Sequence, residues 1–358
     1  MDLAAALAFL DRHVNLEATA GHIHGLSLDR MRRLVEVLDN PQHAYPVVHI
    51  TGTNGKGSTA RMVTAVLAET GLSVGTYTSP HLERLNERIT RNGEAIVDDE
   101  LAAVLSHIAA VVPVSGVDPS YFELVTAAAF RWFAEVAVDV AVVEVGLLGR
   151  FDATNVADGA VAVVTNVASD HTDFQGDWRR SIAEEKAGIV KPGAVVVLGE
   201  TDVALVPVFE DEGPAQLWLR GREFDCEDSR LAVGGRLVDL RTPGAAFSDV
   251  FLPVHGAHQG DNAACALAAA EAFFGRPMDG DVVAEGFANV SLPGRFEVVR
   301  RSPLVVLDGA HNAEGAAAAA QTLEEDFGVD GDVILVVGML APRDPTPFLE
   351  ALGAGQAR

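Results

Sequence analysis

The sequence predicts an α/β protein: a central domain on a mostly parallel sheet with a phosphate-binding loop, then a smaller α/β domain. Three observations carry this. Val138–Val145 and Ala160–Val167 are near-continuous apolar runs, as parallel strands buried on both faces require. A glycine-rich turn, His49-Ile50-Thr51-Gly52-Thr53-Asn54-Gly55-Lys56-Gly57-Ser58, stands between the apolar pair Val47-Val48 and a segment with Met62, Val63, Val66 and Leu67 at helical spacing. A βα pattern restarts after Leu292-Pro293-Gly294-Arg295, which reads as a hinge. With 358 residues the chain exceeds one ordinary core, so the domains are expected at 1–292 and 293–358.

In chain order, 2–14 and 27–39 read as amphipathic helices, the second capped by Ser27. Between them, Gly21–Leu26 contains His22 and His24. Strand, turn, lysine and helix at 47–67 cradle a polyphosphate: glycines let backbone N–H groups close on the anion, the helix start adds partial positive charge, and Lys56 adds an ammonium. The strict pattern G-x-x-x-x-G-K-[ST] is not met, because Ile50 and Gly57 occupy its first and last positions. Strand Ser73–Thr78 ends in Ser79-Pro80-His81. Helix Tyr121–Val136 carries an aromatic stripe. Glu144 ends the 138–145 strand, where a carboxylate is costly unless it pairs or binds a cation. Asn166, Asp170 and His171 follow the next strand, and Arg179–Val190 is a helix containing Lys186. Residues 213–252 read as an antiparallel β-rich flap, and 261–274 as an alanine-rich helix. Leu304–Leu307, a helix to Phe327 and a strand Val333–Val337 complete the reading. Lys56, Ser79, Glu144 and His171 all fall at or past carboxyl ends of predicted parallel strands, the edge where open α/β sheets place their ligand crevice.

Composition excludes several classes. A net charge of −25 opposes nucleic-acid binding. No apolar run has the length of a membrane span, and the basic region of a signal peptide is missing. Two cysteines suit a reducing cytoplasm. Only three of the 26 basic residues are lysine (Lys56, Lys186, Lys191), so a retained lysine points to a need for an amine. Lys191 is expected to have no such role.

These motifs together resemble the folylpolyglutamate synthase and dihydrofolate synthase family of the Mur ligase superfamily. The likeness rests on the turn at 51–58, Ser79-Pro80-His81-Leu82 with Asn86-Glu87-Arg88-Ile89, and Glu144-Val145-Gly146 through Asp152-Ala153-Thr154-Asn155. It continues through Ser169-Asp170-His171-Thr172, Glu185-Lys186-Ala187-Gly188-Ile189, His258-Gln259 with Asn262-Ala263-Ala264, Pro293-Gly294-Arg295-Phe296 and Asp308-Gly309-Ala310-His311-Asn312. The resemblance implies a cytoplasmic, monomeric ATP-dependent ligase that adds L-glutamate to a folate or dihydropteroate carboxylate through an acyl phosphate. It implies that Thr53, Asn54, Gly55, Lys56, Gly57 and Ser58 hold phosphates, with Asn262, Arg295 and Asp308 on the nucleotide. Ser79, Glu144 and His171 would serve two Mg²⁺ ions, the second also held by a carbamylated Lys186. His24, Tyr121, Phe122, Phe151, Asp152 and Ala153 would form the pteroate pocket, and Lys56, Lys186 and His171 would act in catalysis.

Three departures from the family pattern stand out. Leu148 replaces a usual glycine and is expected to narrow the pocket wall. Met339–Asp344 lacks the usual lysine. The chain stops at Arg358, so its second domain is expected to be truncated, loosely held and frayed beyond Gly338. Two other readings remain at this point: a muramyl-peptide-type ligase, opposed by Ser79-Pro80-His81 and Asn86-Glu87-Arg88, and a nucleotide-binding protein inactivated by its short C-terminus.

Overall fold

The computed structural model describes residues 1–15, 17, 27–168, 177–328, 333–340 and 344–356. Eight strands form the central sheet: β1 (Val47–Thr51), β2 (Val74–Tyr77), β3 (Ile89–Arg91), β4 (Glu94–Ala95), β5 (Val140–Glu144), β6 (Gly159–Val164), β7 (Val195–Leu198) and β8 (Gln216–Leu219). Their order is β4-β3-β2-β5-β1-β6-β7-β8, parallel throughout except at β2–β3 and β3–β4. The mostly parallel sheet predicted from the apolar runs is therefore observed. Alternate side chains point to opposite faces of a strand, and both faces are buried here. Val48, Ile50, Val140, Val142, Val161 and Val163 enter one core. Val47, Ala141 and Val143 enter a second, and Ala162 and Val164 a third.

The first core is closed by α3 (Lys56–Glu69), α8 (His258–Phe274) and α9 (Gly280–Ala288). Alanines 263, 264, 266 and 268–270 of α8 are buried, and their small side chains admit close helix packing. Met62 of α3 is fully buried, and its truncation to alanine would cost about 2–5 kcal/mol. The second core is closed by α1 (Leu3–Leu10), α2 (Asp29–Val37), α4 (Asp98–Ser115) and α5 (Tyr121–Glu135). Ser27 Oγ accepts from Asp29 N at 3.1 Å, just ahead of α2. Helices α6 (Trp178–Ala187) and α7 (Val206–Glu210) cover the third core.

Two expectations are corrected. The flap begins later than residue 213, because α7 supplies a crossover that returns Gln216–Leu219 parallel to β7. The flap sheet proper is β9 (Asp225–Ala232), β10 (Gly235–Arg241) and β11 (Ala246–Leu252), all antiparallel. Second, Val333–Val337 forms no strand. Ile334 and Val336 are 79% and 94% exposed, and the run pairs with no strand among the described residues, so its backbone groups have no ladder partner. After the hinge, the described residues form a hairpin, β12 (Glu297–Arg301) with β13 (Leu304–Leu307), then α10 (Ala313–Phe327) and α11 (Thr346–Ala351).

Candidate active site

β1 delivers the chain to the turn at the sheet's carboxyl edge, and α3 leaves it. Gly52 and Gly55 have φ of +151° and +83°; a Cβ would lie 1.8 Å from Thr165 Oγ1 at the first and 2.3 Å from Asn262 Oδ1 at the second. Both positions therefore demand glycine. The turn is clamped from β6's exit: Asn166 Oδ1 accepts from the backbone N–H of Thr53 and Asn54 at 3.0 and 2.9 Å. Thr53 Oγ1 donates to Ala168 O at 3.0 Å, and Thr165 Oγ1 donates to Asn54 O at 2.6 Å. The amides of Thr53 and Asn54 thus point into the protein. The N–H groups left for an anion are those of the first turn of α3, which have no intrahelical acceptor.

Lys56 Nζ donates to Gly52 O and Thr53 O, both at 3.1 Å, so its ammonium sits at the rim of the turn. Glu144, at the end of β5, is only 4% exposed. Its Oε2 accepts from Ser79 N at 3.0 Å. Burial raises its pKa, against the opposing pull of Lys56, the Ser79 N–H, Arg295 and Arg61. Asn262 of α8 donates to Gln259 Oε1 at 3.0 Å beside Gly55. From beyond the hinge, Asp308 accepts from Phe296 N and Ala310 N at 2.8 and 2.7 Å, and Asn312 Nδ2 donates to Asn54 Oδ1 at 3.0 Å.

One cleft of about 620 Å³ joins these groups. The phosphate turn from Thr53 to Ser58, Ser79, Glu144, Asn262, Arg295 and Asp308 line it together with Phe122, Phe151, Asp152 and Ala153. Asp152 is an organiser of its own loop: Oδ1 accepts from Thr154 N at 2.9 Å and Oδ2 from Leu147 N at 2.9 Å. Tyr121 departs from expectation. It is buried in the α1–α2–α4–α5 core and does not line the cleft, because neighbours on a helix point about 100° apart and Phe122 takes the cleft-facing position. Leu148 does not line the cleft either; its side chain packs on the α6 core. Its φ is +57°, so the backbone keeps a glycine-like conformation at a cost of about 1–2 kcal/mol. Lys186 is buried on α6 and is not among the cleft-lining residues. His24 and His171 lie outside the described residues.

Sequence reasoning missed the Arg88–Glu17 pair. Arg88 is 3% exposed, its Nη1 donates to Glu17 Oε1 at 3.0 Å, and its Nε meets His81 Nδ1 at 2.9 Å. Its guanidinium lies 5.8 Å from the Tyr121 ring centroid. Glu17 lines the cleft. The only sequence signal was Arg88 itself, within Asn86-Glu87-Arg88.

A phosphate turn facing a small α/β domain across a shared cleft is the arrangement of a Mur-type ligase. The Mur ligase middle domain family matches residues 50–270, and the Mur ligase, glutamate ligase domain family matches residues 294–356. Within that class, the chain belongs to the folylpolyglutamate synthase/dihydrofolate synthase family of ATP-dependent ligases. It is 42% identical over 339 residues to the dihydrofolate synthase/folylpolyglutamate synthase of Mycobacterium tuberculosis, covering 88% of this chain and 69% of the relative. The Bacillus subtilis relative of the same description is 36% identical, over 84% of this chain and 72% of that one. Among solved structures, the Mycobacterium tuberculosis folylpolyglutamate synthase complexed with ADP and AMPPCP superposes with a TM-score of 0.90 at 40% identity, covering 98% and 80% of the two chains. A folylpolyglutamate synthase–AMPPCP–folate complex gives 0.90 at 31% identity, covering 100% and 88%. The muramyl-peptide alternative is not favoured by these relatives.

Proposed function

We propose that this ligase uses ATP to join L-glutamate to the free carboxylate of a folate or dihydropteroate. The observation that carries this reading is one cleft lined both by the phosphate turn and by two aromatic rings, Phe122 and Phe151. A substrate with a flat ring system at one end and a carboxylate at the other fits such a cleft, with the carboxylate toward the ATP γ-phosphate.

A carboxylate oxygen attacks the γ-phosphorus, the bond to the ADP oxygen breaks, and an acyl phosphate forms. The glutamate amine then attacks the acyl carbon, the C–O bond to phosphate breaks, and the amine proton passes to solvent. The first turn of α3 and Lys56 balance charge on the phosphates during transfer. Arg295 and Asp308 meet the nucleotide from the second-domain side, and Asn262 fixes the turn from α8. Phe122, Phe151 and Ala153 form the ring-binding wall, with Asp152 holding their loop; Tyr121 supports it from the core.

The donor set near the phosphates suits Mg²⁺. Glu144 is a buried carboxylate with Ser79 beside it, and hard oxygen ligands are what that ion prefers. Bound there, Mg²⁺ would neutralise phosphate charge. Among the described residues no cluster of three or more His, Cys, Asp or Glu is assembled, so the set needs His171 or water to complete it. A second ion held by carbamylated Lys186 is part of the same proposal; it is supported by the burial of this amine, one of only three lysines in the chain, on a helix outside the cleft lining. We assign 1–292 to the ATP-binding unit and 293–358 to the glutamate-ligase unit, acting as a cytoplasmic monomer. No helix among the described residues is long and apolar enough to cross a membrane.

The test is steady-state ADP release with dihydropteroate and tetrahydrofolate in parallel, each with and without L-glutamate. Turnover should need both the pteridine substrate and glutamate. ADP release independent of glutamate would contradict the reading.

A further inference from the structure

Helix α10 is fastened to the first domain at both ends. At its start, Asn312 caps the helix by accepting from Gly315 N at 2.8 Å, and the same side chain donates to Asn54 in the phosphate turn at 3.0 Å. At its far end, the Asp326 side chain is fully buried and pairs with Arg236 of β10, whose side chain is 5% exposed. The second oxygen of Asp326 accepts from Gly256 N at 2.9 Å. Arg236 is itself held by Ser229, through Nε to Oγ at 2.8 Å and Nη2 to the carbonyl at 2.9 Å. Beside this pair, the ring of His255 lies 4.7 Å from Phe327 and 6.4 Å from Phe296, the residue that follows Arg295 in the hinge.

We propose that the Arg236–Asp326 pair is a keel: it fixes the second domain over the cleft, and Arg236 is a positioning residue for phosphoryl transfer. This rests on the ligase reading above. A helix is stiff, and the distance from Asn312 to Asp326 along α10 is about 21 Å at 1.5 Å per residue. A rod pinned at the flap therefore sets where its other end, with Asp308–Asn312, meets the phosphate turn. The flap sheet gains a role that the sequence did not suggest: it is the seat of the closing domain. Both charges are desolvated: without Arg236, Asp326 keeps only the Gly256 N–H and the ring of His255, whose Nδ1 lies 3.4 Å away, and without Asp326 the guanidinium keeps only Ser229, so loss of either partner loosens the seat. A lysine at 236 retains the charge but loses the fork that also reaches Ser229.

The test uses the full chain with Arg236→Ala, Arg236→Lys and Asp326→Asn. Three quantities are read: hydrogen exchange at amides 308–316, affinity for AMPPCP, and kcat for ADP release. For Arg236→Ala and Asp326→Asn the account expects faster exchange at 308–316 with unchanged protection of β1, β5 and β6. It also expects kcat reduced by at least about tenfold and AMPPCP affinity within about threefold, since closure rather than docking is impaired. Arg236→Lys should recover part of both losses. Unchanged exchange at 308–316 in Arg236→Ala would overturn the proposal. So would loss of protection across the central sheet in both Arg236 variants, which would make the pair a support of the whole fold. If the wild type released no ADP with a folate and glutamate, the ligase reading would fail, while the exchange comparison would still decide the keel.

Discussion

Replacing Gly55 with alanine probes the phosphate turn through two separable costs. The backbone there has φ of +83°, where an L-residue is disfavoured by about 1–2 kcal/mol. The new methyl would also lie 2.3 Å from Asn262 Oδ1, far inside contact distance, so Asn262 must swing away. That movement breaks its bond to Gln259, worth about 0.5–1.5 kcal/mol net. Gly55→Ala is therefore expected to lower unfolding free energy by about 2–3 kcal/mol in urea titrations. It should also weaken AMPPCP binding by at least about tenfold, because the first N–H groups of α3 are re-aimed. In Gly55→Ala/Asn262→Ala the clash vanishes and the dihedral cost remains. The double variant should thus be more stable than the sum of the singles by about 1 kcal/mol. A loss below about 0.5 kcal/mol in the single variant, or strict additivity in the cycle, would refute the reasoning.

Three further outcomes are expected. Lys56→Ala should remove more than about nine-tenths of kcat, at least 1.4 kcal/mol of transition-state stabilisation, with the fold retained; turnover above that level would remove its role. The wild type should show a ¹³C carbamate resonance in labelled bicarbonate; Lys186→Arg keeps the charge but cannot be carbamylated, so it should lack that resonance and lose turnover. Wild-type turnover in that variant would contradict the proposal. His49 is buried on β1 against Thr154 Oγ1 at 2.9 Å, and burial lowers its pKa from 6.5 to about 3. The unfolded chain takes up this proton near pH 6.5 and the folded chain does not. The contribution is therefore whole above pH 6.5 and declines by about 1.4 kcal/mol per pH unit as pH falls toward 3. His49→Gln should flatten the stability difference between about pH 7 and 4.5, and an unchanged slope would assign the acid sensitivity elsewhere.

What could be read in the sequence was local. The turn at 51–58, the apolar strands and the terminal Glu144 each carry their signal within ten residues, because glycine freedom and hydrophobic periodicity act at short range. The clamp of Asn166 on Thr53 and Asn54 spans 113 and 112 positions, and the Arg88–Glu17 pair spans 71. No local pattern encodes which polar groups meet across such gaps. The placement of β8 was missed for a related reason: its turn-rich flanks suit a flap, and only the crossover through α7 makes it a sheet strand. Val333–Val337 has strand composition, yet composition cannot supply a hydrogen-bonding neighbour. Tyr121 and Phe122 are equal as aromatics, and the helix's rotation against the core decided between them.

The central claim is that this cleft activates a carboxylate by phosphoryl transfer before the amine attacks. It is tested most directly by isotope transfer. The substrate carboxylate is labelled with ¹⁸O, turnover is run with ATP and L-glutamate, and the released inorganic phosphate is examined by mass spectrometry. The account predicts one labelled oxygen in the phosphate for each amide formed, because the carboxylate oxygen that attacked phosphorus leaves with it. Phosphate without label, alongside normal amide formation, would contradict the acyl-phosphate route and the role given to the site.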